Sequence, residues 1–386
     1  MRRAASVSDY RALAKARLPH FLFEYLDGGS YDEVTLRRNV EDLQTVALKQ
    51  RVLRDVSDID LSTELFGRRW SMPVGLGPVA LSGLYARRGE VQAARAADAA
   101  GIPFSLSTLG GCSIAEIAAK TGSPFWYQLY IVKDREFVRD MIARATQAGC
   151  GALLLTVDLA VPGTRYRDYR SGLSGSIAGK FSRYRQVAAR PDWAWDVAMR
   201  GRPLTLGNLE PLLGSGAALE DLMGWVARNF DASVTWKDVE WVRSEWKGPL
   251  VIKGVLDQDD ARQALESGAD AVLVSNHGGR QLDGALSSAR ALPRIADAIA
   301  GRMPVLVDGG VRSGLDVVRM LALGADFVLL GRAWAYALAA SGQAGVAHVL
   351  KLIDAEMRVA MALTGCTSIG QINEEVLDRS GNQATF

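Results

Sequence analysis

The feature that most constrains this chain is a rhythm. Eight short apolar runs, at 74–80, 103–108, 125–130, 152–158, 250–255, 271–277, 304–310 and 327–332, alternate with alanine-rich stretches of helical spacing. The helical stretches fall at 88–100, 114–120, 134–148, 257–267, 286–300 and 314–323, and several close on a glycine just before the next run begins. Glycine suits the residue after a helix, where the backbone turns left-handed. Runs that are apolar throughout read as strands covered on both faces, as in a parallel sheet. Eight of them, separated mostly by helices, predict an α/β protein of the closed (β/α)8, or TIM-barrel, type, one domain over 1–386. An open doubly wound sheet is the competitor, disfavoured because no Gly-x-Gly-x-x-Gly follows the first strand. Ahead of the barrel, 8–27 predicts two short helices, with Ser8 capping the first, Pro19 in the first turn of the second and Gly28-Gly29 ending it. Residues 35–56 read as irregular. Between 165 and 236 the rhythm stops, leaving a long insertion, or lid, after the fourth strand; segments of that length usually serve function.

Composition excludes several classes. With 45 basic and 43 acidic residues the formal charge is +2, which gives no electrostatic reason to expect nucleic acid. Cys112, Cys150 and Cys366 lie far apart without metal-type spacing, so neither a metal centre nor a disulfide framework is expected, and a reducing compartment is. No apolar run reaches the ~18 residues of a membrane span, and the first residues do not read as a secretory signal. A cytoplasmic protein, at most lying on a membrane, is the expectation.

In barrels of this kind chemistry sits at the C-terminal ends of the strands. Here those ends carry Pro78, Val79 and Ala80; Ser107; Gln128 and Tyr130; Thr156 and Asp158; Lys253; Ser275, His277 and Arg280; Asp308, Gly309, Gly310 and Arg312; and Gly331 and Arg332. Residues two apart on a strand point the same way, so Gln128 with Tyr130, and Thr156 with Asp158, face the mouth together. His277 can exchange a proton near neutral pH, and Arg280 can grip a carboxylate with two parallel hydrogen bonds. Glycine amides beside arginines after strands seven and eight form the usual phosphate pocket of such barrels. Ser107, Gln128 and Thr156 could line a flat polar heterocycle. Lys253, buried, needs a negative partner; a flavin, which gains negative charge on reduction, would supply it. One phosphate site and no adenine-binding fold favour FMN over FAD. Tyr25, four residues after Phe21 on one helix face, reads by spacing as core.

The string Ser-Asn-His-Gly-Gly-Arg-Gln-Leu-Asp (275–283), with Asp-Gly-Gly-Val-Arg (308–312) before Leu-Gly-Arg (330–332), resembles the FMN-dependent L-2-hydroxy acid oxidase and dehydrogenase family, from about Tyr10 to Thr367. Phe-Leu-Phe-Glu-Tyr-Leu-Asp-Gly-Gly, Leu-Arg-Arg-Asn-Val-Glu-Asp-Leu and Tyr-Ala-Arg-Arg-Gly-Glu-Val-Gln-Ala-Ala resemble its bacterial membrane-associated L-lactate dehydrogenases. The resemblance implies His277 as catalytic base and Asp158 as the carboxylate that steadies it. It also implies Tyr130 near the substrate hydroxyl, Arg280 and Tyr25 on the substrate carboxylate, and Arg165 as a second, mobile arginine. Tyr25 thereby passes from core residue to substrate contact. FMN would lie on Pro78, Val79, Ala80, Ser107, Gln128, Thr156, Lys253, Ser275, Asp308, Gly309, Gly310, Arg312, Gly331 and Arg332. The implied reaction oxidises L-lactate, or a similar small L-2-hydroxy acid, to the 2-oxo acid, by a carbanion or a hydride route. Ala80 and Leu109 flank the place of the substrate side chain.

Two acceptors stay open. From 165 to 202 the chain has nine basic and three acidic residues, a net of +6, interleaved with Tyr166, Tyr169, Phe181, Tyr184, Trp193 and Trp195. Alone this describes a solvated lid; the membrane-associated relatives carry their membrane segment here, which implies peripheral contact with the cytoplasmic face of the inner membrane and electron transfer to a quinone. Ala80 stands where several of the dehydrogenases have glycine, a departure that admits oxygen reactivity and makes a soluble oxidase using O2 and releasing hydrogen peroxide the runner-up. A flavin-binding barrel without turnover is a third reading. The resemblance implies a homotetramer.

Overall fold

The computed structural model describes residues 4–173, 177–201, 206–213, 224–225 and 228–378. Each expected run contains a strand: β1 (Val74–Leu76), β2 (Ser105–Ser107), β3 (Trp126–Leu129), β4 (Ala152–Thr156), β5 (Leu250–Val255), β6 (Ala271–Val274), β7 (Val305–Asp308) and β8 (Phe327–Leu330). They pair in parallel in the order β1-β8-β7-β6-β5-β4-β3-β2. A parallel bridge between Leu76 and Phe104, with the Leu76 amide donating to the Pro103 carbonyl (2.8 Å), joins the two ends and closes the barrel. The strands are shorter than the apolar runs; 77–80, 275–277 and 309–310 lie beyond them, in the loops that build the mouth.

Side-chain alternation sorts the barrel into two packed layers. Trp126, Ala152, Leu154, Val251, Ala271, Leu273, Leu306, Phe327 and Leu329 fill the interior. Their neighbours Leu153, Leu155, Ile252, Val272, Val274, Val305, Val307, Val328 and Leu330 face the surrounding helices. A hairpin of Thr63–Leu65 and Arg68–Trp70 closes the bottom, where Trp70 meets Trp126 edge-on at 6.3 Å. The same parity, continued past the last apolar residue, turns Gln128, Thr156, Lys253, Ser275, Asp308 and Gly331 toward the open end.

Four expectations need correction or refinement. The first helix, Val7–Arg17, is capped by Ser6, whose hydroxyl accepts the Asp9 amide (3.2 Å); Ser8 lies inside it. Pro19 is the cap of the second helix, His20–Asp27, which Gly28 ends as expected. The supposedly irregular 35–56 contains a helix, Val34–Gln44. Its buried stripe is Thr35, Asn39 and Leu43, two of them polar, so a search for apolar periodicity passes over it. The insertion holds Tyr166–Arg170, Ile177–Ala188, Pro191–Trp193 running into a π-helical stretch Ala194–Met199, and Glu210–Leu213. The rest of the expected membrane segment, at 174–176, 202–205, 214–223 and 226–227, lies outside the described residues.

Candidate active site

The barrel mouth holds a cavity of 340 Å³. Of the residues singled out from sequence, Tyr25, Pro78, Val79, Ala80, Ser107, Gln128, Tyr130, Thr156, Arg165, Lys253, His277, Arg280, Asp308, Gly309, Gly310, Arg312, Gly331 and Arg332 line it. Asp158 and Ser275 stand one step behind, holding residues that do.

The loop after β6 turns sharply because His277, Gly278 and Gly279 are all left-handed, with φ of +57°, +65° and +73°. For a histidine that conformation is strained, and neighbours must impose it. Ser275 Oγ accepts the His277 amide (3.1 Å), and Asn276 Oδ1 accepts the Gly279 amide (3.0 Å). Asn276 pairs reciprocally with Asn39, at 2.8 and 2.7 Å, fixing the loop to the helix Val34–Gln44. A side chain on Gly279 would meet the Leu36 backbone at 2.6 Å, so only glycine lets loop and helix touch. Asp283 then caps that helix, accepting the Thr35 amide at 2.8 Å.

His277 Nδ1 lies 2.9 Å from Asp158 Oδ1, which leaves Nε2 as the nitrogen available to the cavity. Burial works to raise the Asp158 carboxyl, but His277 and Lys253 hold it below its ordinary value, as a carboxylate. Room for Asp158 comes from a one-residue slip in β5 between Lys253 and Val255. Gly254 sits in that bulge at φ +109°, and a Cβ there would lie 2.5 Å from Asp158 Cβ. Gln281 braces the same carboxylate's backbone, donating to the Asp158 and Val161 carbonyls at 2.9 and 3.0 Å.

Three arginines meet the N-terminal segment. Arg280 donates from Nη1 to the Tyr25 and Gly28 carbonyls (2.6 and 2.8 Å) and stacks over the Tyr25 ring at 4.7 Å. Anchored through that one nitrogen, it keeps Nη2 and Nε for a carboxylate. Arg165, 5.8 Å from the same ring, lies 3.7 Å from Asp168. Burial, then the nearby Arg280, pushes the Arg165 guanidinium down, while burial pushes the Asp168 carboxyl up. Arg332 donates to the carbonyls of Leu26 (3.0 Å), Gly278 (2.8 Å) and Gly28 (2.7 Å). It therefore clamps the chain as well as lining the cavity, and burial lowers it to about 10. Sequence reasoning had no signal for this carbonyl clamp, nor for Asp168, nor for the buried Tyr85, which also line the cavity.

Deeper in, Lys253 is 4% exposed; it donates to Ser275 Oγ (2.7 Å) and pairs with Asp308 Oδ2 (3.1 Å), the negative partner its burial requires. Ser107 Oγ donates to Gln128 Oε1 (2.9 Å). Gln128 Nε2, Thr156 Oγ1 and Asp308 Oδ1 are buried with no protein partner. Such groups are costly unless a ligand meets them. A Cβ built on Gly331 meets nothing within 4 Å, so the backbone there fronts open space beside Arg312 and Arg332. A flat polar heterocycle on Gln128, Thr156 and Lys253, with a phosphate near Gly331 and the arginines, fits this arrangement. No group of three or more His, Cys, Asp or Glu able to hold a metal occurs among the described residues.

Residues 14–379 match the family described as FMN-dependent dehydrogenase. An L-lactate dehydrogenase of Alcaligenes faecalis is 60% identical over 375 residues, covering 97% of this chain and 99% of that one. One from Caulobacter vibrioides is 60% identical over 373 residues, covering 97% of each. Among solved structures, the monotopic membrane protein (S)-mandelate dehydrogenase is 38% identical, with a TM-score of 0.91 over 98% of this chain and all of that one.

Proposed function

Because the chain belongs to the FMN-dependent dehydrogenase family, we propose that it oxidises L-lactate to pyruvate and passes the electrons to a respiratory quinone, with the work divided among residues as follows. FMN, when bound, supplies a reversible acceptor for the electron pair that leaves the substrate. Gln128, Thr156, Ser107, Lys253 and the loop Pro78–Ala80 would hold its ring system, with Ser275 and Asp308 supporting Lys253; Gly309, Gly310, Gly331, Arg312 and Arg332 would hold its phosphate. Arg280 receives the lactate carboxylate through its free edge, and Tyr25 and Arg165 complete the grip. His277 Nε2 takes the proton lost in oxidation, and Asp158 fixes the tautomer and stabilises the imidazolium that results. Tyr130, 7% exposed in the cavity lining, would offer its phenol to the substrate hydroxyl. Burial raises this phenol, so it stays protonated and able to donate.

The single observation that carries this reading is the chain Asp158–His277 at 2.9 Å beside an arginine anchored by one nitrogen only. A module that merely bound a flavin would need neither. The test is His277→Gln. The variant should purify yellow yet fail to bleach when L-lactate is added without oxygen, since removing a positioned base costs about 10²–10⁴-fold; bleaching at the full rate would remove His277 from the role.

For the acceptor, the insertion presents Phe181 and Tyr184, 72% and 75% exposed, and Trp195, 62% exposed, among arginines. Aromatic groups among cations suit a surface of anionic lipid. No helix among the described residues is long and apolar enough to cross a membrane. We therefore assign the insertion to peripheral membrane contact, and take the cytoplasmic face and a homotetrameric assembly from the family resemblance.

A further inference from the structure

We propose that a second cavity, of 310 Å³, between the ends of β3 and β4 and the stretch 230–239, receives the ring of the quinone acceptor. The assignment rests on the quinone reading above and adds the place. Tyr130, Thr156 and Leu159 line both this cavity and the first, so the wall between them is one side chain thick. Electron transfer weakens steeply with distance, and two other cavities, one beside Arg17 and Arg88 and one beside Arg190 and Trp193, share no lining residue with the cofactor site.

The shape and chemistry of the slot fit a flat apolar ring. Phe230 lies 4.9 Å from the Tyr130 ring, tilted by 38°. Val234, Trp236 and Val239 supply the rest of an apolar lining. Its charged rim is already committed: Asp231 accepts from Ser233 (2.6 Å) and pairs with Arg135 (2.7 Å), and Thr235, which also lines the slot, gives its amide to Asp238 (2.8 Å). No uncompensated charge points in, which disfavours a second hydroxy-acid carboxylate and favours a neutral ligand. The volume lies at the lower end for small-molecule sites, adequate for a ring with small substituents. The slot is also preformed. Phe230 bridges to Val132, the Lys133 amide donates to the Asn229 carbonyl (2.9 Å), and a capping box starts the helix Trp236–Glu245. In turnover the quinone would gain two electrons and two protons and become a quinol, matching the two electrons and two protons the hydroxy acid gives up; the proton taken by His277 returns to solvent, from which the quinone can draw one. The hydroxy acid and the quinone never compete for His277.

The experiment fills the slot from two sides, with Val234→Trp and Ala160→Trp, neither of them in the cofactor or substrate machinery. Holoenzyme is assayed with decylubiquinone, with ferricyanide, and by anaerobic bleaching with L-lactate; binding of menadione to the oxidised protein is followed by equilibrium dialysis. We expect at least tenfold weaker menadione binding and tenfold slower decylubiquinone turnover in both variants, with bleaching and ferricyanide reduction unchanged. Unchanged quinone binding and turnover in a yellow, bleachable variant would overturn the site while leaving the acceptor reading intact. A wild-type protein that bleaches with lactate but is reoxidised by no quinone would overturn both. If one variant fails to fold, the other gives the same readouts.

Discussion

A histidine held left-handed is the residue on which the site turns. His277 keeps a conformation that costs roughly 1–3 kcal/mol, and Ser275, Asn276 and Asn39 hold it there through hydrogen bonds of 2.7–3.1 Å. Asp158 gives it direction. Replacing that carboxylate, as in Asp158→Asn, should leave FMN bound and lower the rate of lactate-driven bleaching by about 10²–10⁴-fold; a rate within twofold of wild type would remove Asp158 from the proton path. The pH consequence has a definite sign. The folded protein holds Asp158 below its ordinary value, so its stabilising contribution is present above about pH 4 and fades as pH falls through the lower folded value. Below about pH 4 the unfolding free energies of wild type and Asp158→Asn should therefore converge. A difference between the two that does not shrink as pH falls below about 4 would contradict the assignment.

At the scale of elements, two small features align the large ones. The bulge in β5 exists to admit Asp158. Gly254→Ala should lower unfolding free energy by roughly 1–3 kcal/mol, from strain at positive φ, and slow bleaching as Asp158 is displaced; calorimetry and stopped flow check both, and a variant normal in each would show that the bulge does not set the carboxylate. The second feature is Asp27, at the end of the second helix. It accepts from Arg11 (2.5 Å), Arg167 (2.9 Å) and Tyr336 (2.7 Å), tying the N-terminal helices, the insertion and the first of two helices that meet at a kink at Ser341 and Gly342 within Arg332–Thr364 into one knot. Asp27→Asn, which leaves buried donors short of an acceptor, should cost about 1–3 kcal/mol in chemical denaturation; an unchanged midpoint would show the knot to be superficial. These elements also mark what could be read from sequence. The barrel strands were legible because full burial makes a strand apolar on both faces, and the site was legible because pleat parity carries that pattern into polar ends such as Thr156 and Lys253. The helix Val34–Gln44 was not, because Thr35 and Asn39 are buried by hydrogen bonding to Asp283 and Asn276, partners about 240 residues away that no local pattern announces. Asp27 was missed for the same reason.

At the scale of the whole molecule, the insertion sets one exposed aromatic and basic surface against an otherwise charge-balanced protein. Phe181→Ser with Trp195→Ser should reduce co-sedimentation with vesicles of anionic lipid several-fold while leaving anaerobic bleaching by lactate unchanged. Equal sedimentation of wild type and variant would return the insertion to the role of a lid. The clamp of Arg280 and Arg332 on Tyr25, Leu26 and Gly28 has a consequence for how the protein comes into being. Those contacts span 255 and 306 positions of chain, so during synthesis Tyr25, Leu26 and Gly28 must stay uncommitted until the last barrel strand has followed them. A polypeptide halted before β8 would have no floor on which to rest a coenzyme; colour should arrive late in biosynthesis, as a mark that translation of the barrel has run to its end.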